Sequence, residues 1–446
     1  MLLLGFGFIF WLLKNDSKLR RLPSTAAWIP IIWLALSGGR DLTSWLIIMG
    51  FDLGSSVHGN FVDSAITIAL MVWSFAVLMK RQFSWSIFVS RNKMLILVYL
   101  YLACSSFWAE FGSATLGRVI KDFGCALVGL VILTEASPID ALRIIFVRLS
   151  YFVLILSIIF IKWFPKIGRG EWNAGDSFVQ GVSTHKNSLG QLLLVYALIL
   201  IADIFALQQE NDPKQYRLHI WIRKGLIALA LWLLLICDSM TSNICLVLGG
   251  VLFWATKMIA KLAQPRKVFN ISVAGLLVVL ALNNMFQISG NLMVAVGRDP
   301  TMTGRSGIWA MVKETKLKPM LGYGYWSYWE SQEALPVIEF NGGHLKTVHN
   351  GYREMYLDGG MVGVALLLLL VAGWSYRAIS RGIDGTLMGR LTLVIWCVAM
   401  FYNWSETAFF RRVPLWILLL LLMIDYPTGR RTGESSKRGL SPSPAV

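Results

Sequence analysis

The run VGVALLLLLVA at Val362–Ala372 and the run LWILLLLLMI at Leu415–Ile424 carry no charged side chain at all. Two more of the same kind lie at Leu226–Cys237 and Val268–Leu282, and all four are bounded by polar or basic residues. A helix that crosses a bilayer needs roughly 17–25 mainly apolar residues. These cores reach that length only with their flanking Trp, Tyr, Ser and Gly. Hydrophobic residues make up 56% of the 446, and charged residues only 15%, against about 25% charged in a soluble domain. A soluble fold has no interior large enough for that composition. The sequence therefore predicts an all-α polytopic membrane protein with about 12 transmembrane helices, each satisfying its own backbone hydrogen bonds.

The formal net charge is +16, which in a soluble protein would suggest an anionic partner. Its placement gives a different account. Lys14, Lys18, Arg20 and Arg21, then Lys80, Arg81, Arg91 and Lys93, then Lys257, Lys261, Arg266 and Lys267 fall in alternate loops. Arg217, Arg223, Lys224, Arg377, Arg381, Arg390 and the tail residues Arg430, Arg431, Lys437 and Arg438 extend the same side. Basic loops mark the cytoplasmic face, and no single folded surface gathers these charges, so nucleic acid is not an expected partner. Met1–Leu13 has neither a basic leader nor a small-residue cleavage site and is expected to be a first span. Cys104, Cys125, Cys237, Cys245 and Cys397 lack CxxC spacing and are expected as small core residues.

With basic loops inside, the outer loops fall near 38–61, 109–118, 164–187, 238–243, 287–355 and 404–412. The segment 287–355 far exceeds the usual connection between helices, and long loops in compact folds tend to be functional. It carries Trp309, Tyr323, Tyr325, Trp326, Tyr328, Trp329, Phe340 and Tyr352, too aromatic for a disordered linker. The expected organisation is one helical membrane domain over 1–428, with 287–355 as an ordered periplasmic subdomain of short helices on the membrane surface. The segment 429–446, rich in Arg, Ser, Pro and Gly, is expected as a disordered cytoplasmic tail.

Of the histidines, His58, His185, His344 and His349 face outward on this topology and His219 inward. His349 opens His349-Asn350-Gly351-Tyr352-Arg353 at the start of a helix, where the positive helix end favours a neutral, proton-accepting imidazole. That suits a general base. Arg305 follows Thr303-Gly304 with Arg298 close before it; a guanidinium fork matches phosphate oxygens, and glycine lets the backbone approach an anion. His185-Lys186-Asn187 ends another outer loop and offers a second cation. Walker A, HExxH, DxD and GxSxG sequences are absent, and His344 and His349 are five residues apart, which does not align them as metal ligands on a helix. No metal and no cofactor is expected.

The ordered set Ser37-Gly38-Gly39-Arg40, Gly59-Asn60-Phe61-Val62-Asp63, Ser105-Ser106-Phe107-Trp108, His185-Lys186-Asn187, Thr303-Gly304-Arg305 with Ile308-Trp309, Gly322-Tyr323-Gly324, His349-Asn350 with Gly360 and Gly363, and Asn403-Trp404-Ser405-Glu406 resembles the O-antigen ligase and polymerase superfamily. It is most similar to exopolysaccharide polymerases of the ExoQ type. The resemblance implies a GT-C type glycosyltransferase fold in the bacterial inner membrane, with its active site facing the periplasm. The implied donor is an undecaprenyl-diphosphate-linked oligosaccharide, with a saccharide acceptor, membrane lipids, and chain-length regulator and export proteins as further partners. It further implies metal-independent inversion, with His349 as base and with Arg305 and Lys186 holding the diphosphate. Arg298, His185, Asn187, Asn350 and Glu406 are expected to line the substrate site. Relatives often carry arginine where Lys186 stands, and a lysine is a point charge rather than a fork. Polymerisation of repeat units is the favoured reading, transfer to a lipid A core or other acceptor by a ligase the alternative. A glycolipid transporter is the reading from another class, disfavoured by the lack of inverted repeats and mid-bilayer functional charges.

Overall fold

The computed structural model describes residues 1–51, 60–171, 177–210, 213–259, 305–340, 343 and 345–427. In chain order the helices are α1 (Leu2–Leu19), α2 (Trp28–Gly38), α3 (Leu42–Ile48), α4 (Phe61–Lys80), α5 (Trp85–Arg91), α6 (Lys93–Cys104), α7 (Gly112–Leu133), α8 (Pro138–Trp163), α9 (Pro165–Gly168), α10 (Lys186–Gln208), α11 (Arg217–Ile236) and α12 (Met240–Ile259). After them come α13 (Arg305–Glu314), α14 (Leu335–Phe340), α15 (Gly351–Ile383), α16 (Leu387–Ser405) and α17 (Pro414–Met423). One departure from an all-helical chain is a short antiparallel pair, Arg169–Glu171 with Ser177–Val179, in the loop before α10.

Six helices are long and apolar enough to cross a membrane, or up to eight if each of two bent pairs counts as one span. The expected 12 is thus not reached among the described residues; the run Val268–Leu282 lies outside them. Part of the difference has a physical cause. The run at Leu415–Ile424 forms α17, only 10 residues long and so about 15 Å at 1.5 Å per residue, half of a ~30 Å hydrocarbon core. Every residue of it is buried. A helix apolar on all sides belongs in an interior, and α17 packs there against α7, α10 and α16. Its length serves the core and not the bilayer. The expectation for the cysteines holds for Cys125, Cys237 and Cys245, which are buried, but Cys104 near the end of α6 is exposed.

The helix starts follow the capping residues. Asn350 accepts the N–H groups of Tyr352 and Arg353 at 3.1 and 3.0 Å, Asp41 accepts that of Ser44 at 2.8 Å and Thr386 that of Gly389 at 3.0 Å. α15 breaks at Gly360, whose φ of +60° is left-handed and favours glycine. A Cβ there would stand 2.3 Å from the Met320 carbonyl oxygen. The break lets the segment before it receive other partners: the Leu357 and Asp358 carbonyls accept the N–H groups of Tyr323 and Gly324 at 2.8 and 3.0 Å. That fixes the Gly322-Tyr323-Gly324 turn onto α15.

A second apolar cluster, separate from the main core, joins Ile308 and Val312 of α13 to Tyr323, Tyr328, Trp329, Val337, Leu345, Val348 and Leu357. Trp309, Tyr323, Tyr328 and Trp329 of the long loop therefore pack together beside the start of α15, next to the residues around His349, while Tyr325 joins the main core.

Candidate functional site

The chain between α16 and α17 turns back across the starts of α10, α13 and α15, and Glu406 is its centre. Gly351 N–H donates to the Glu406 carbonyl at 3.0 Å, which ties this turn to the beginning of α15. Gly351 has no room for a side chain, since a Cβ would lie 2.2 Å from Asn403 Oδ1. Asn403 Oδ1 accepts the Ala408 and Phe409 N–H groups at 2.8 and 2.9 Å, and Asn350 Nδ2 donates to the Trp404 carbonyl at 2.7 Å. The backbone on both sides of Glu406 is thus held by side-chain amides.

The Glu406 carboxylate gathers three of the expected residues. Its Oε2 lies 2.9 Å from His349 Nδ1; its Oε1 lies 2.5 Å from Arg305 Nη2 and accepts from Asn187 Nδ2 at 2.7 Å. Arg305 also donates through Nη1 to the Ser405 carbonyl. Burial pushes the Glu406 carboxyl up, but His349, Arg305 and His185 outweigh that and leave it below the ordinary carboxylate range. It is an anion whose charge is spent on orienting and balancing its neighbours.

His349 differs from expectation in its setting. Asn350 caps α15, so the imidazole belongs to the residue before the cap and meets a carboxylate in place of the free helix end. Its φ is +51°, a left-handed conformation that costs a non-glycine residue about 1–3 kcal/mol. Several bonds hold it there. The His349 N–H donates to Thr347 Oγ1 at 3.2 Å. Glu354 Oε2 accepts from the Val348 N–H at 2.9 Å and from Thr347 Oγ1 at 3.0 Å, and its Oε1 accepts from Trp329 Nε1 at 2.6 Å. Trp309 Nε1 donates to the Val348 carbonyl at 2.9 Å while its ring lies 4.1 Å beneath the Arg353 guanidinium. In the tautomer that donates from Nδ1 to Glu406, the lone pair stands on Nε2.

His185 caps α10, its Nδ1 accepting the Asn187 N–H at 3.3 Å. Burial lowers its pKa to about 4, so it is neutral near pH 7. Lys186 lies beside it with Nζ 3.7 Å from Asp238 Oδ2. Arg298, His58 and His344 lie outside the described residues. Among those described, no three His, Cys, Asp or Glu side chains stand together as a metal set. Sequence reasoning did not single out Glu354 and Thr347, which with Trp309 hold the segment before His349, and it named Trp309 only as a loop aromatic and a motif residue. The only signal for Glu354 and Thr347 was their proximity in sequence to His349.

A family model described as O-antigen ligase matches residues 225–368, a stretch that contains Arg305 and His349 but ends before Glu406. The chain is 24% identical over 301 residues to the exopolysaccharide production protein ExoQ of Rhizobium meliloti (strain 1021), covering 64% of this chain and 65% of that protein. It is 26% identical over 224 residues to a putative polysaccharide ligase of Rickettsia felis, covering 45% and 51% of the two chains. A putative polysaccharide ligase of Rickettsia conorii is 25% identical over 237 residues, covering 49% and 53%. The chain thus spans about two thirds or less of the length of these relatives. Together with the ordered motifs, these matches support the O-antigen ligase and ExoQ-like family for this chain.

Proposed function

We propose that the protein is an inner-membrane glycosyltransferase of GT-C type that joins undecaprenyl-diphosphate-linked repeat units into a polysaccharide at the periplasmic face. The observation that carries the reading is the contact of His349 Nδ1 with the Glu406 carboxylate at 2.9 Å. A carboxylate on one ring nitrogen fixes the other as the base and stabilises the imidazolium that forms when it takes a proton, the logic by which catalytic histidines are oriented elsewhere. His349 Nε2 removes the proton of an acceptor hydroxyl as that oxygen bonds to the anomeric carbon of the donor sugar. The bond from that carbon to the diphosphate oxygen breaks on the opposite side, and the electron pair leaves with the diphosphate.

Arg305 meets the charge of the leaving group. Two of its N–H groups are engaged by Ser405 and Glu406, and a guanidinium has five, so donors remain for phosphate oxygens. Lys186, with its ammonium near Asp238, supplies a second positive charge, and Asn187, His185 and Asn350 shape the floor. Fixed cations placed where negative charge develops lower the barrier because they need no reorganisation during the reaction.

Transfer to a lipid-borne core sugar is the second reading, favoured by the ligase names of the family model and of the Rickettsia relatives. Purified protein given a synthetic undecaprenyl diphosphate sugar, with either a second lipid-linked unit or a core oligosaccharide lipid as acceptor, separates the two. A stably folded His349→Gln protein should be inactive with both, since an amide cannot take up the proton. Full activity of that variant would remove the base, and with it the reading.

A further inference from the structure

Three cations gather on the same side of the bundle as His349 but away from Glu406, between the starts of α4 and α7. Arg118 and Lys121 lie three residues apart on α7, a spacing that shares a helix face. Arg412 reaches them from the loop that carries Glu406. Lys121 Nζ donates to Ser64 Oγ at 2.8 Å and Arg412 Nη1 to Thr67 Oγ1 at 3.0 Å. Ser64 and Thr67 are likewise three residues apart, on α4, so the two cations lie against consecutive turns of one helix face.

Arg118 is neutralised by Glu330. Lys121 and Arg412 are half-buried and held by hydroxyls, with no ion pair among the described residues. The carboxylates around them have other work: Asp63 Oδ1 accepts the Thr43 N–H at 3.0 Å and Asp41 caps α3. Asp63 attracts Lys121 and Asp122 attracts Arg412, but Arg412 and Arg118 each repel Lys121 more strongly than Asp63 attracts it, and partly desolvated cations crowded together in this way are costly to keep without a further counter-charge. On the expected topology they also stand on the outer face, where basic residues are scarce.

We propose that Lys121 and Arg412, flanked by Arg118, form a second anion subsite that holds the phosphate-bearing head of the acceptor lipid, distinct from the donor diphosphate at Arg305. This rests on the transfer reaction proposed above, which brings together two lipid-borne sugars: one loses its diphosphate and the other keeps its phosphate. One cationic centre serves the leaving group; a second is needed for the head that stays. The chain joins the two. Arg411 pairs with Asp358 at 3.0 Å and lies 3.5 Å from Glu354, the carboxylate that holds the segment before His349, while its neighbour Arg412 donates to Thr67 on α4. An acceptor head at Arg412 is therefore one short loop away from the base that activates its sugar.

The test counts sites directly. In His349→Ala protein, where transfer is blocked, a short-chain polyprenyl diphosphate should bind at two sites per chain. Adding Lys121→Gln and Arg412→Gln should weaken one of them by about tenfold per cation removed, as expected for charge-assisted contacts. No second site in the parent for either the polyprenyl diphosphate or a phosphorylated glucosamine lipid, or a second site of unchanged affinity in the variant, overturns the proposal. A phosphorylated glucosamine lipid in place of the polyprenyl diphosphate identifies the source: competition for the Lys121–Arg412 site alone marks a core-lipid acceptor, and competition by the polyprenyl compound alone marks a lipid-linked repeat unit. Competition by neither, with sugar-free phospholipid binding instead, overturns the acceptor role. The transfer reading fails independently, by full turnover of His349→Gln protein.

Discussion

Asp16 and Asp203, at the end of the bundle far from His349, are closed in by four arginines, whereas Glu406 faces its partners at a partly open mouth. α10 connects the two: Lys186 at its start lies by the site, and Asp203 is 17 residues further on, about 26 Å at 1.5 Å per residue. Arg20 grips Asp203 with two parallel bonds of 3.0 Å, and Arg143 and Arg223 add 2.8 and 3.0 Å contacts through Nε. Arg223 also reaches Asp16 at 2.5 Å, and Arg148 reaches it at 2.9 Å. Arg223 and both aspartates have side chains 0% exposed, against 21% for His349 and 15% for Arg305. The chemistry of the two ends is alike, arginine on carboxylate. What differs is supply: four helices, α1, α8, α10 and α11, with Arg20 just past the end of α1, furnish the closed end, while loops and helix starts furnish the open one. A network built from helix interiors fixes how helices pack; one built at their mouths can admit a substrate.

Mutation should separate these roles, and the largest effect should come at the open end. His349→Ala is expected to lower transfer about 10²–10⁴-fold, the usual contribution of a general base, while donor binding and melting temperature change little, because the base acts mainly in the transition state. Turnover and donor affinity measured on one preparation decide it. A melting temperature that falls in step with activity would make His349 a structural residue and erase the contrast. Arg223→Ala should do the reverse. Removing one member of a buried ionic network leaves its carboxylates unpaired and costs about 3–5 kcal/mol, read as lost expression and a lower melting temperature, with turnover per folded molecule retained. A stable Arg223→Ala protein would show that the closed end does not fix the packing. Arg305→Lys, which keeps the charge and loses the fork, should be milder, about 10–100-fold in turnover if a charge-assisted bond of 1.5–3 kcal/mol is lost. Wild-type turnover in that variant would detach Arg305 from the leaving group.

The sequence made the open end more legible than the closed one. His349, Arg305 and Asn187 stood out as polar residues in an apolar chain, and motif order grouped them without any distance information. Glu406 was expected only as one of several substrate-lining residues. Its pairing with His349, 57 positions earlier, arises from the turn between α16 and α17, which no local pattern encodes. At the closed end Arg20 and Arg223 read simply as basic loop markers, because the positive-inside rule explains a basic residue without asking what it touches. Asp16 and Asp203 sit in helices where one carboxylate carries no periodic signal. The span count suffered for a related reason: ten apolar residues at Pro414–Met423 look alike whether they face lipid or the protein's own core.

The smallest expected effect concerns acidity, and it comes from His185 at the rim of the open end. Burial lowers its pKa from 6.5 to about 4, so in the folded protein the ring stays neutral until the pH nears 4, whereas in an unfolded chain it takes up a proton below about 6.5. Between these values the unfolded state binds more protons, and stability therefore falls as the pH drops from 6.5 toward 4 and is fully present above that window. Glu406, held below its ordinary value of 4.5, contributes stability that is lost only at more acid pH, so the two windows are separable. His185→Asn keeps a side chain able to accept the Asn187 N–H as a helix cap but removes the titration. Its melting temperature should match the wild type at pH 7.5 and decline less steeply between pH 6.5 and 4.5. Parallel melting curves for the two proteins across that range would mean that His185 is as exposed to protons in the folded protein as in the unfolded one, and the rim of the site would then be open to water well beyond His349.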